Sequence, residues 1–140
     1  MSETFKSERA PEPVGAFPHA KRVGGLLFLS GIGPRVRGSK EIPGVTLDSS
    51  GNVVSYDIET QCHAVFENVR LVLDDAGATW QDIIDVTVFL TDMKNWPAFN
   101  KTYVGYFPAG KLPARSAVGV TALALPGALM EIECQAYAGK

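Results

Sequence analysis

Two neighbouring segments, DIETQCHAVFENVRLVLDDA at residues 57–76 and IIDVTVFL at residues 83–90, decide the fold. In the first segment apolar residues recur at helical spacing, and charged residues occupy the opposite face. This pattern predicts an amphipathic helix that ends at Gly77. The second segment is rich in β-branched residues and carries apolar residues on both faces of the pleat, which predicts a strand buried on both sides.

Toward the N-terminus, two short apolar segments predict a β-hairpin. They span residues 16–20 and 26–32 and flank Val23-Gly24-Gly25, whose glycines suit a tight turn. Residues 1–13 are polar and contain prolines, so we expect a loose arm there. The stretch Arg35–Asn52 contains three glycines and a proline, and it predicts a long surface loop.

Toward the C-terminus, the pattern predicts one more helix and two more strands. Asn95-Trp96-Pro97 is typical of a helix start, with Asn95 as the cap. The aromatic residues that follow at helical spacing are interpreted as core packing: Trp96, Phe99, Tyr103 and Phe107. Strands near residues 115–121 and 130–138 flank a turn at Pro126-Gly127. The order β-β-α-β-α-β-β predicts an α+β sandwich, one mainly antiparallel sheet with two helices on one face.

The second face of this sheet needs a cover that the chain itself does not supply. Both strand segments, residues 26–29 and 86–90, offer apolar side chains to both faces of the sheet. Two helices can cover one face only, and a large exposed apolar surface is unfavourable in water. The economical cover is another copy of the same chain, so the sequence predicts a homo-oligomer.

Composition and motif content exclude several classes of function. The chain has 140 residues, 46% hydrophobic and 20% charged, and we expect one domain over residues 1–140. A net charge of −2 offers no broad basic field for nucleic acid. The polar N-terminus and the lack of a long apolar run predict a cytoplasmic protein without membrane partners. Cys62 and Cys134 are interpreted as buried thiols, and we expect no metal and no cofactor because no ligand spacing or cofactor motif is recognisable.

Several motifs, in the same order along the chain, resemble the RidA (YjgF/UK114) family: Gly15-Ala16-Phe17, Ser30-Gly31-Ile32-Gly33-Pro34, Asn100-Lys101-Thr102-Tyr103, Pro113-Ala114-Arg115-Ser116 and Glu131-Ile132-Glu133. The resemblance implies a chorismate-mutase-like fold and a homotrimer whose strands close into a central barrel, with sites in clefts between subunits. It is closest to the 2-aminomuconate deaminases, through residues 15–20, 30–35, 42–44 and 84–94. Residues 123–128 look more like the general family.

The resemblance also implies the central chemistry of the site. Arg115 matches the family's substrate-anchoring arginine, and a planar guanidinium can bind a carboxylate through two parallel hydrogen bonds. A surface salt bridge is the alternative role for this residue. Glu131 matches the position of a carboxylate that faces a water and acts as general base. Glu133 shares the strand face of Glu131, so the two glutamates could exchange roles.

Further residues are implied to line the substrate site. Gly31, Ser116 and Ala117 match positions that contact the ligand through backbone N–H groups, and Asn100 and Phe17 match its wall. Phe17 and Ala117 stand where the family frequently has tyrosine and cysteine. Two more residues are extra candidates, Arg35 and His19. Arg35 could bind the second carboxylate of a dicarboxylate, or be a solvated loop residue. His19 could donate to a substrate oxygen, or be structural.

Three functions are consistent with these residues. The leading prediction is a cofactor-free hydrolytic deaminase that converts 2-aminomuconate, through its imine tautomer, to 4-oxalocrotonate and ammonia. A second is a general deaminase that destroys reactive 2-aminoacrylate-type imino acids. A third is a trimer that binds 2-oxo acids without turning them over.

Overall fold

A six-stranded sheet carries two helices on one face in the computed structural model, which describes residues 2–39 and 41–139. Its strands in spatial order are β1 (Ser2–Phe5), β2 (Ala20–Val23), β3 (Leu26–Leu29), β8 (Met130–Tyr137), β6 (Ile83–Leu90) and β7 (Ala114–Gly119). Neighbouring strands are antiparallel except β6 and β7, which are parallel. Strands β4 (Val45–Leu47) and β5 (Val53–Tyr56) form a separate hairpin. The predicted α+β class is confirmed.

The helix and the strand that decide the fold lie where the sequence predicts them. Helix α1 spans Ile58–Asp75, and the side chain of Asp57 caps its start by accepting from the backbone N–H of Glu59 at 3.1 Å. Gly77, with φ of 80°, follows its end. Strand β6 has the predicted bounds, and its even-numbered residues from Val86 onward are buried under the helices. Local periodicity therefore suffices for the centre of the fold.

An aromatic cluster joins helices α1 and α2 (Trp96–Tyr103) into one core. Phe66 of α1 is buried and has its ring centroid 4.3 Å from that of Tyr106 and 6.2 Å from those of Phe99 and Tyr103. The predicted packing of the aromatic stripe is confirmed. Asn95 does occupy the N-cap position, but its side chain makes no capping bond and instead accepts from the Tyr56 hydroxyl at 3.3 Å.

Three predictions about the N-terminal half are wrong. The first hairpin strand is Ala20–Val23 rather than residues 16–20, because β1 and β3 supply hydrogen-bond partners on both sides of this charged segment. The arm over residues 1–13 is not loose throughout, since Ser2–Phe5 pair with β2. The loop Arg35–Asn52 contains β4, which pairs with β5. Each error concerns a short strand whose partner lies elsewhere in the chain.

The sheet face opposite the helices carries exposed apolar and acidic side chains together. Phe28, Val118 and Tyr137 are exposed on strands of this sheet, and Glu131 and Glu133 alternate with buried residues along β8.

Both cysteines are free and buried, and burial raises the pKa of each thiol to about 12. No helix among the described residues is long and apolar enough to cross a membrane.

Candidate active site

A cavity of about 300 Å³ lies at one end of β8, beneath the segment that precedes β2. This volume is at the lower end of the range for small-molecule sites. Its wall contains five of the residues predicted for the site, namely Phe17, His19, Gly31, Arg35 and Glu131. Apolar side chains make up much of the remainder: Val14, Ile32, Val72, Leu123 and Leu125. The cavity suits a small ligand with a few charged groups.

Glu131 is held at the cavity wall by its strand and by a neighbouring loop. An isolated bridge joins Ile32 to Ile132, with backbone N–H to carbonyl distances of 2.8 and 2.9 Å. The bridge places Gly31 directly against the Glu131 carboxylate. A Cβ atom at Gly31 would lie 2.8 Å from Oε2 of Glu131, closer than real contacts of this kind. A side chain at position 31 would therefore push the Glu131 carboxylate out of this position.

The protonation of Glu131 is shifted toward the neutral form. Burial of its side chain raises the pKa of the carboxyl, and the negative charge of Glu133 adds to the effect. A carboxylate whose pKa is shifted in this direction is a stronger base than an ordinary glutamate, which suits it to proton transfer. Glu133 lies on the same strand face but is exposed and is not part of the cavity wall. The geometry thus favours Glu131 over Glu133 as the proton-transfer group.

Arg35 brings a positive charge to the cavity, and its loop is fixed by helix α1. The buried Asn68 donates from Nδ2 to the backbone carbonyls of Gly33 and Arg35, at 2.9 and 2.7 Å. The guanidinium donates to the backbone carbonyl of Glu12 at 2.5 Å, and its Nη1 lies 3.7 Å from the Glu12 carboxylate. Arg35 is therefore not a solvated loop residue, because its side chain is only 17% exposed.

His19 is buried in the cavity wall with both ring nitrogens engaged by the backbone. The N–H of Ser7 donates to Nδ1 at 2.9 Å, and Nε2 lies 2.7 Å from the carbonyl of Pro11. The first bond requires a lone pair on Nδ1, so the proton resides on Nε2 and donates to Pro11. This arrangement favours a structural role, in which His19 holds the N-terminal segment over the cavity.

The remaining predicted residues lie outside the cavity wall, on β7 and on helix α2. Arg115 projects from β7 toward the helices, where Cζ lies 4.5 Å from the ring centroid of Tyr103 and 4.9 Å from that of Trp96. Ser116 and Ala117 follow it on the same strand. Arg115 forms no salt bridge within residues 2–39 and 41–139. The surface ion pair considered as its alternative role is thus not formed there.

Polar atoms of α2 near Arg115 are buried without partners. In the described part of the chain, Oδ1 of Asn100 and the hydroxyl of Tyr103 have no hydrogen-bond partner. Burial raises the pKa of the Tyr103 hydroxyl, while the nearby Arg115 opposes this shift. Buried polar groups are nearly always hydrogen-bonded in native proteins, so a water or a ligand group is expected to pair with these atoms. We call Arg115, Asn100 and Tyr103 the arginine cluster.

One copy of the chain does not bring Arg115 and Glu131 together. Along β6, Arg115 is level with Val86 and Glu131 is level with Phe89, and Val86 and Phe89 point to opposite faces of the sheet. The two Cα atoms are roughly 14 Å apart, from three residues along the strands and two interstrand spacings. The cavity and the arginine cluster are therefore two separate half-sites within one chain.

Sequence patterns alone missed several residues that build the cavity. Glu12 lies in the segment predicted to be loose. Asn68 and Gln61 are polar residues of helix α1 that the structure shows to be buried. Gln61 is buried, donates to the carbonyl of Gly127 at 3.0 Å and accepts from the N–H of Leu129 at 2.6 Å. It thereby ties the loop before β8 to α1. Its spacing to Ile58 and Val65 places Gln61 on the apolar stripe of the helix, and this was the signal that could have revealed its burial.

Comparison with known proteins identifies the family. A family model described as "Endoribonuclease L-PSP" matches residues 7–138. The chain is 34% identical over 132 residues to the chloroplastic Reactive Intermediate Deaminase A of Arabidopsis thaliana, covering 94% of this chain and 64% of that protein. The chain belongs to the RidA family. A RutC family protein of Pyrococcus horikoshii, PH0854, is 38% identical over 138 residues, with 98% of each chain covered.

The fold of a solved RidA-family structure agrees with this assignment. The structure of YyfA from Yersinia pestis, described as a protein of unknown function of the conserved Rid family, superimposes with a TM-score of 0.81 at 34% identity. The alignment covers 98% of this chain and 99% of that one. The chain therefore belongs to the RidA family along nearly its full length. None of these four names refers to 2-aminomuconate, so that substrate stays a prediction.

Proposed function

We propose that this protein is a cofactor-free deaminase that hydrolyses 2-imino acids, formed from their enamine tautomers, to 2-oxo acids and ammonia. The observation that carries the proposal is the half-buried carboxylate of Glu131, seated against Gly31 in a small cavity, with its pKa raised by burial. Such a group can take a proton from water and return it to a leaving nitrogen. The named activity of the Arabidopsis relative belongs to the same class of reaction.

In the proposed reaction, Glu131 moves protons while water supplies the oxygen. Water attacks the carbon of the protonated imine as the Glu131 carboxylate removes one of its protons, and a neutral carbinolamine forms. The protonated Glu131 then gives this proton to the nitrogen, which becomes an ammonium leaving group. The C–N bond breaks as the carbon–oxygen double bond forms, the hydroxyl proton passes to the Glu131 carboxylate, and ammonia leaves together with a 2-oxo acid. The raised pKa of Glu131 makes its carboxylate a stronger base toward water than an ordinary glutamate.

Arg115 of a second copy would anchor the substrate carboxylate in this proposal. Arg115 and Glu131 project from opposite faces of the sheet in one chain, so an intersubunit site would be needed for both to meet one ligand. The homotrimer expected for the family supplies that arrangement. Support comes from the exposed apolar residues Phe28 and Val118 on the uncovered face, and from the unpaired polar atoms beside Arg115.

The preferred substrate in this proposal is 2-aminomuconate, which would yield 4-oxalocrotonate and ammonia. It has two carboxylates, and the cavity holds a mostly buried cation, Arg35, in addition to the proposed Arg115. A general deaminase of 2-aminoacrylate-type imino acids is the alternative, and such small monocarboxylates would leave Arg35 without a role. Comparing turnover of 2-aminomuconate with that of 2-iminopropanoate discriminates between the two substrate classes.

Ammonia release is the experiment that tests the proposal itself. The purified protein is added to each imino acid, and ammonia formation is measured against spontaneous hydrolysis. Acceleration that is lost in a Glu131→Gln variant supports the deaminase. Binding of 2-oxo acids without any acceleration of ammonia release would instead support the non-catalytic alternative, which also requires the arginine.

The description of the family model names a different activity, an endoribonuclease. Proteins that bind an RNA backbone rely on clustered lysine and arginine side chains. The chain carries a net charge of −2, and in the cavity the positive Arg35 is accompanied by two carboxylates, Glu12 and Glu131. These charges favour a small carboxylate substrate over RNA.

A further inference from the structure

We propose that Glu12 is a specificity-determining residue of this site. Its carboxylate compensates the charge of Arg35 when no ligand is bound, and the distal carboxylate of a dicarboxylic imino or oxo acid replaces it there. The inference rests on the proposed function, because it adds a second anchor to the same binding site. Its test, however, measures ligand binding and does not depend on turnover.

Arg35 needs a counter-charge in its position. Its side chain is only 17% exposed, and it lines a cavity that it shares with Val14, Ile32 and Val72. A guanidinium withdrawn from water into apolar surroundings is unfavourable unless an anion or several acceptors face it. The main chain of Arg35 is held by Asn68, which donates to its carbonyl at 2.7 Å, and the guanidinium is oriented by its bond to the Glu12 carbonyl.

Glu12 contacts Arg35 in two ways that serve different purposes. Its backbone carbonyl accepts from Nη2 at 2.5 Å, which orients the guanidinium whatever the side chain at this position. Its carboxylate lies 3.7 Å from Nη1, near enough to balance charge but beyond hydrogen-bonding distance. A guanidinium has five N–H donors, and among the described residues this carbonyl is the only acceptor that Arg35 binds. Donors therefore remain for a ligand carboxylate.

The Glu12 carboxylate is able to leave Arg35 without losing all its partners. Its side chain is 53% exposed, and its Oε1 lies 3.3 Å from Nε of Arg37. Arg37 is itself held by the carbonyls of Ser7 and Ala10, at 3.2 and 2.7 Å, so it stays in place. Exposed ion pairs are weak, and a carboxylate that approaches Arg35 from inside the cavity can displace this one.

The test uses two oxo acids of equal chain length that differ only at the distal end. The probes are 2-oxoadipate, with a distal carboxylate, and 2-oxohexanoate, with a methyl group instead. Their dissociation constants are measured by titration calorimetry for the wild-type protein, Glu12→Gln, Arg35→Gln and the double variant. Glu8→Gln serves as the matched control, because Glu8 is an exposed acid of the same segment that does not line the cavity.

We expect Glu12→Gln to tighten the binding of 2-oxoadipate by roughly two- to fivefold and to leave the binding of 2-oxohexanoate unchanged, since only the competing charge is removed. Arg35→Gln should weaken the binding of 2-oxoadipate by about tenfold or more, and adding Glu12→Gln to Arg35→Gln should have no further effect. Glu8→Gln should change neither probe. Melting temperatures of all variants exclude a general loss of folding.

Two results would overturn the inference. If Glu12→Gln changes both probes equally, or weakens 2-oxoadipate, Glu12 shapes the wall and does not compete with the ligand. If the wild-type protein binds both oxo acids equally, or neither, the Arg35 end of the cavity is not a carboxylate site. If only the deaminase proposal is wrong, the protein will not accelerate ammonia release but will still bind 2-oxoadipate more tightly than 2-oxohexanoate.

Discussion

Replacing Glu131 by glutamine removes the proposed proton carrier and keeps the shape of the cavity. The amide cannot accept a proton from water, whereas Gly31 still accommodates a side chain of the same size. Loss of a positioned general base costs about 10²- to 10⁴-fold in kcat. This corresponds to about 2.7–5.4 kcal/mol of transition-state stabilisation. Affinity for a 2-oxo acid should change little, because the anchoring charge lies elsewhere.

The matched control for this variant is Glu133→Gln. Glu133 lies two residues further along the same face of β8, but it is exposed and outside the cavity wall. Its removal takes away a negative charge that raises the pKa of Glu131, so the acidic limb of the kcat profile should move to lower pH. The maximal rate should stay within a few-fold of wild type. The assay is ammonia release from 2-iminopropanoate over a range of pH.

The raised pKa of Glu131 also predicts how the stability of the Glu131→Gln variant depends on pH. A carboxyl with a pKa higher in the folded than in the unfolded state stabilises the protein at acid pH, and this contribution is lost as pH rises through the folded pKa. In denaturant titrations, the free energy of unfolding of Glu131→Gln minus that of wild type should therefore be larger at pH 8 than at pH 4.

Near wild-type turnover by Glu131→Gln together with loss of turnover in Glu133→Gln would refute the assignment of the base. If both retain turnover, general-base catalysis by this strand fails.

Four further outcomes are expected. Arg115→Ala should weaken 2-oxo acid binding by roughly 30-fold or more in calorimetry, because a bidentate charged contact is lost, and unchanged binding would exclude it as anchor. Light scattering should report a homotrimer at micromolar concentration; a persistent monomer would contradict the intersubunit site. Asp75→Asn should lower the free energy of unfolding by about 1 kcal/mol at pH 7 and by less at pH 3, as measured in urea titrations. Hydrogen bonds from Arg9 and Ser7 lower the pKa of Asp75, so the stabilisation that they give is lost as pH falls through the folded pKa. Dialysis against a chelator should leave ammonia release intact, and activity restored only by added metal would disprove metal-free catalysis.

Much of the fold could be predicted because its central elements are specified locally. The apolar spacing of residues 58–75 and the β-branched run of residues 83–90 determine helix and strand without reference to distant residues. The need for a cover on the second sheet face also follows from the strand composition. Short strands such as Ser2–Phe5 escaped prediction, because their stability comes from a partner strand and not from their own sequence.

The candidate site, too, could be predicted from the sequence only in part. The resemblance of the motifs to the RidA family is what predicted Arg115 as carboxylate anchor and Glu131 as proton carrier. Only the tertiary structure decided which residues surround them, since the contacts span long separations in the chain. The bridge from Ile32 to Ile132 seats Glu131, and Arg35 reaches back to Glu12. The opposite facing of Arg115 and Glu131 follows from strand register, which depends on how the sheet assembles and not on either motif.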